Sequence, residues 1–172
     1  DWKKMVHLSD EDMQKLATGI IMKRLGEANP EDVFGMIYIM TKEKEESPTR
    51  DIKEFATLLN ACGRLEKASF GIGACLGIEK DKKRAFETLA EYKKEIINAI
   101  KWFEANKNTP KVVKRDSFII INTEYNIPTT IVGTLASILS KSNDFKESTY
   151  IMTLGRALDK TTKISLRLSG RK

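Results

Sequence analysis

Arg64 is the residue whose type and setting best suit an anion. It follows Glu54-Phe55-Ala56-Thr57-Leu58-Leu59-Asn60-Ala61-Cys62-Gly63, in which Phe55, Leu58 and Leu59 fall at helical spacing. Gly63 is expected to stop this helix in the left-handed conformation that a residue without a side chain adopts freely, leaving Arg64 on the turn. Asn60 is expected to cap or brace that turn. The forked donors of a guanidinium match a phosphate better than any other side chain. The alternative is a helix C-terminus carrying a solvated arginine.

Other chemistry is sparse. The chain has a single histidine, His7, and two cysteines, Cys62 and Cys75, which read as reduced thiols. Gly71, Gly73 and Gly77 punctuate the run from Ala68 to Ile78, but no Lys-Ser pair of a phosphate-binding loop follows them. Close packing of a short helix is the expected role. The aromatic residues Trp2, Trp102, Tyr92, Tyr125 and Tyr150 do not interleave with the basic clusters as a stacking platform would, and Trp102 is expected to pack.

The run Asn60-Ala61-Cys62-Gly63-Arg64 resembles the Asn-Ala-x-Gly-Arg element of RecJ-like nucleases of the DHH phosphoesterase superfamily. Its longer form, from Glu54, is similar to the archaeal branch. About a hundred residues on, Lys163-Ile164-Ser165-Leu166-Arg167 resembles the Ser-x-Arg strand of the DHH-associated substrate-binding domain. The resemblance implies that Arg64 faces a cleft and holds a substrate phosphate. It also implies that Ser165 and Arg167 project from one strand face, a hydroxyl beside a guanidinium. Arg156, at the end of the preceding strand, would join them. A strand with a polar outer face is the alternative.

Members of that family hydrolyse phosphodiesters with manganese or magnesium held by aspartates and histidines. This chain lacks the Asp-His-His triplet, and one histidine cannot supply a two-metal site. No catalytic residue and no metal ligand is therefore assigned. The resemblance implies a substrate-binding part of an archaeal single-strand exonuclease in DNA replication or repair, with single-stranded nucleic acid as partner. A non-catalytic replisome module that binds a GINS-type partner is the alternative.

The 172 residues suffice for a sizeable core, and 41% apolar with 31% charged composition reads as soluble and globular. No apolar run approaches the roughly 20 residues of a membrane span, and no signal-like segment follows the charged start, so a cytoplasmic protein is expected. Asp1 in place of a methionine, and an end at Ser169-Gly170-Arg171-Lys172 directly after a strand, suggest a piece of a longer protein. The net charge of +6 is unevenly placed: residues 80–116 carry 11 basic and 6 acidic side chains, and residues 153–172 carry 6 and 1. Together these segments would attract nucleic acid by neutralising phosphates. For Lys82, Lys83 and Arg84 alone, a solvated surface is the alternative.

The fold class expected is α/β: helices from the end of a catalytic lobe, a long connecting helix, then a small mixed α/β domain. The corresponding spans are residues 1–78, 79–109 and 110–172. Ser9, followed by Asp10, Glu11 and Asp12, starts a first helix whose stripe of Met13, Leu16, Ala17, Ile20 and Ile21 ends before Gly26. Asn29-Pro30 restarts the chain with a cap and a helix-compatible proline. The apolar run from Val33 to Met40 suits either a buried strand or a helix, and Gly35, which would weaken a helix, favours a strand over residues 35–41. Helices are expected over residues 50–62, 81–108 and 129–139. Strands are expected over residues 118–121, 150–156 and 162–168, the last with alternating Ile164, Leu166 and Leu168.

Overall fold

Local capping chemistry sets the first helix. Helix α1 spans Asp10–Lys23, the Ser9 Oγ accepts the Asp12 N–H at 3.2 Å, and three acids in the first turn face the positive end of the helix dipole. In the computed structural model the described residues are 5–27, 29–142 and 144–170. Trp2 and the charged residues Asp1, Lys3, Lys4, Arg171 and Lys172 lie outside them. Chain contacts divide the molecule into two compact units, Asp1–Ala56 and Thr57–Lys172.

In the first unit a single 3₁₀ turn at Pro30–Val33 follows α1, with Asn29 at the cap position but making no side-chain capping bond. The strand expected over residues 35–41 does not form. Only an isolated antiparallel bridge, Ile39 to Asp51, is made there, with the Met40 N–H on Arg50 O at 2.7 Å and the Ile52 N–H on Tyr38 O at 3.0 Å. A strand exists only as a member of a ladder, and the one segment alongside turns at once into a helix. Met36 and Ile37 are accordingly 76% and 70% exposed.

Helix α2, Ile52–Arg64, starts on the Asp51 carboxylate, which accepts the N–H groups of Lys53 at 2.7 Å and Glu54 at 3.0 Å. Its buried stripe is Leu58, Ala61 and Cys62. Helix α3, Ala68–Cys75, approaches that stripe through Gly71, where a Cβ would lie 3.3 Å from both Cys62 Cβ and Leu59 Cδ2. Gly77 has φ +75° and closes α3, so the glycine run does serve close packing and a helix end. Helix α4, Glu79–Asn106, has 28 residues, about 42 Å at 1.5 Å each, and buries Ala85, Leu89, Tyr92, Ala99 and Phe103.

A four-stranded mixed sheet follows in the order β1-β2-β3-β4. Its strands are β1 Val112–Lys114, β2 Phe118–Asn122, β3 Tyr150–Arg156 and β4 Thr162–Leu168. The outer pairs are antiparallel and β2 with β3 is parallel, joined through helix α5, Thr129–Leu139. One sheet face carries Val112, Ile119, Ile121, Ile151, Thr153 and Ser165, all buried, and α5 packs over it through Ile131, Val132, Leu135, Ala136 and Leu139. Gly155 permits the approach, since a Cβ there would stand 2.6 Å from Val132 Cγ2. The alternation of β4 is thus inverted relative to its hydrophobicity. Ser165 points to the helix while Ile164, Leu166 and Leu168 are exposed on the opposite face, beside Val113, Phe118 and Tyr150. Among the described residues no helix is long and apolar enough to cross a membrane.

Candidate functional site

The end of α2 differs from expectation in a way that fixes Arg64. The helix continues through Gly63, and the left-handed residue is Glu66, with φ 60°. Two backbone bonds close this end: Lys67 N–H to Cys62 O at 2.8 Å and Glu66 N–H to Gly63 O at 3.3 Å. That pattern satisfies the last carbonyls with a non-glycine in the left-handed position, so Gly63 is neither a stop nor a turn residue. Asn60 is exposed, and its side chain makes no hydrogen bond among the described residues, so it does not brace the end. Arg64 becomes the last helical residue rather than a turn residue. From there Nη1 donates to the carbonyl of Thr130 in the first turn of α5, at 3.2 Å.

Strand β4 supplies the facing groups. Ser165 is 8% exposed, and its Oγ makes no hydrogen bond within the described chain. Arg167 lies two residues on, on the same strand face, with Nε donating to Ser137 Oγ at 3.0 Å and Nη1 to Leu166 O at 2.8 Å. Gly133 links the set. A Cβ built on it would stand 3.6 Å from Ser165 Oγ and 4.0 Å from Arg64 Nη1. Thr130, Gly133 and Ser137 sit three and four residues apart, one flank of α5, so one helix lines Arg64, Ser165 and Arg167 into a row.

Arg64 also lines a cleft of about 550 Å³, together with Arg156, Tyr125, Thr130, Leu158 and Asp159. Among the described residues the Arg156 guanidinium has no partner. Asp159 is held by Thr161, which donates from its hydroxyl at 2.7 Å and its N–H at 2.9 Å, and these bonds lower the carboxyl pKa. The Lys82, Lys83, Arg84 cluster is not part of this lining; Arg84 instead lies over the Phe70 ring, 5.2 Å from its centroid. Half-buried Trp102 packs on α4 with Lys111 Nζ 5.8 Å from its ring centre.

Four of the expected residues therefore meet around α5, Arg64, Ser165 and Arg167 in the row and Arg156 in the adjoining cleft. Sequence reasoning missed Thr130, Gly133, Ser137 and Tyr125. Gly133 carried the one available signal, a glycine in the middle of an apolar helical run. His7 Nε2 meets one carboxylate, Glu46 Oε1, at 2.9 Å, and no group of three His, Cys, Asp or Glu side chains suited to a metal comes together among the described residues. No hydrolytic step is derived through one. In comparisons with known proteins, no family model matches this chain and no curated protein matches it.

Proposed function

We propose that this chain binds single-stranded nucleic acid through its phosphates, as the substrate-binding part of a RecJ-like nuclease of the DHH superfamily acting in the cytoplasm in DNA replication or repair. The observation that carries this reading is the convergence of Arg64 and Ser165 on Gly133, with Arg167 one helical turn along. Two motifs far apart in sequence supply one hydroxyl without a partner among the described residues and two guanidiniums held by one or two hydrogen bonds each. Each guanidinium has five N–H donors and spends only one or two on the protein, so donors remain for an anion.

The test is fluorescence anisotropy of the full chain with a short single-stranded DNA over a range of salt. Binding should weaken with salt, and Arg64→Ala and Arg167→Ala should each weaken it about 3- to 10-fold while shallowing the salt slope by about 0.7 for each phosphate no longer neutralised. Affinity independent of salt and of both arginines would remove the reading.

A second reading, a replisome module that docks a GINS-type partner, has support from α1. No residue of this helix is buried, and Met13, Leu16 and Met22 are exposed along it. Under that reading, Leu16→Glu and Met22→Glu abolish partner capture and leave DNA binding intact.

A further inference from the structure

We propose that the cleft next to Arg64 holds the nucleobase adjoining the bound phosphate, with the Tyr125 ring as its stacking platform and Arg156 at its edge. The inference rests on the phosphate-binding reading and adds to it a subsite of different chemistry.

Tyr125 is 58% exposed in this cleft, and its hydroxyl makes no hydrogen bond among the described residues. Its backbone, by contrast, is held. The Asn126 N–H and side-chain amide donate to Thr123 O at 2.9 and 3.0 Å, and the Glu124 N–H donates to Asn122 Oδ1 at 3.2 Å. The Arg156 N–H donates to Glu124 O at 2.8 Å, which ties the tyrosine turn to the end of β3 and sets Arg156 beside it. An exposed ring on a fixed turn offers a flat surface at small entropic cost.

The rest of the lining decides between a base and a further phosphate. Glu66 and Asp159 face the cleft along with the two arginines, and carboxylates repel a second phosphate. Leu65, Pro128 and Leu158 supply apolar walls. A planar, uncharged ring with edge donors fits such a surface, sandwiched against tyrosine and reached by a guanidinium plane. About 550 Å³ lies within the range of small-ligand sites and accommodates one nucleoside.

The test uses the full chain and a labelled deoxythymidine strand of about 12 nucleotides, scanned with a single abasic position. One position should cost about tenfold in affinity when its base is removed. Tyr125→Ala should cost the same factor with the full strand and show no further penalty at that position. Tyr125→Phe should bind as the unaltered chain does, since the hydroxyl is unbonded, and the salt slope should not change. Unaltered affinity in Tyr125→Ala, alongside weakened binding in Arg64→Ala, would overturn the base subsite and leave phosphate binding standing. Unaltered affinity in both variants would overturn the two together.

Discussion

Gly133 of α5 faces Ser165 of β4 across a gap that a single methyl group would fill. A Cβ on Gly133 would stand 3.6 Å from Ser165 Oγ and 4.0 Å from Arg64 Nη1, both ordinary van der Waals distances. The helix therefore accepts alanine, and removing a glycine from a helix interior stabilises by about 0.5–1 kcal/mol. The same methyl would stand between these two groups and shield them from an anion approaching both. Gly133→Ala should melt at or above the temperature of the unaltered chain and bind single-stranded DNA several-fold more weakly. A lowered melting temperature would mean that α5 lies closer to β4 than these distances, and unchanged binding would put the anion elsewhere.

That relationship lay beyond the sequence because it depends on which face of β4 the helix covers. Signals confined to a few residues were legible: the Ser9 cap and the limits of β3 and β4. Features that depend on a partner were not. The residues around Ile39 have strand composition but no ladder, and α2 ends on bonds from Lys67 and Glu66 that override the glycine nearest its end. Ser165 and Arg167 were found from their motif, yet their companions Thr130 and Ser137 are ordinary helix residues until the sheet is assembled. Tyr125 looked isolated in sequence and proves to share a cleft with two arginines.

Covering one sheet face and not the other makes a sharp contrast in stability. Ile151 in β3 is fully buried against α5, whereas Leu166, in the next strand and on the opposite face, is 50% exposed. Ile151→Ala should cost about 3 kcal/mol in chemical denaturation, by lost transfer energy plus the cavity left behind. Leu166→Ala should cost under about 1 kcal/mol, because half of its surface is already in water. Equal losses would show that the outer face is covered in solution.

The two thiols should separate by reactivity and by pH. Burial pushes the Cys62 thiol above its ordinary value of 9.0, partly opposed by the charge of Lys67, while Cys75 is exposed. A thiol reagent at neutral pH should modify Cys75 promptly and Cys62 only on unfolding. Above pH 9.0 the unfolded chain releases the Cys62 proton while the folded chain keeps it. The unfolded state then binds fewer protons, so stability falls as pH rises through that range. Cys62→Ala should be less stable overall but flatter between about pH 8.5 and 10, and a parallel decline in both chains would assign the alkaline loss to other groups.

Gly63 and Glu66 offer a direct test of how α2 ends. Gly63 is helical, exposed and has no atom within 4 Å of where a Cβ would lie, so Gly63→Ala should stabilise by about 0.5–1 kcal/mol. A turn that needed positive φ at Gly63 would instead make alanine destabilising. Glu66, at φ 60°, occupies the position where glycine is favoured, and Glu66→Gly should stabilise by up to about 1 kcal/mol. Glu66→Gly also removes a carboxylate from the cleft that Arg64 lines. Binding of single-stranded DNA at low salt should therefore tighten along with the rise in melting temperature, and the gain should fade as salt screens the charge. A tighter fold without tighter binding would show that the carboxylate is too far from the bound phosphate to repel it.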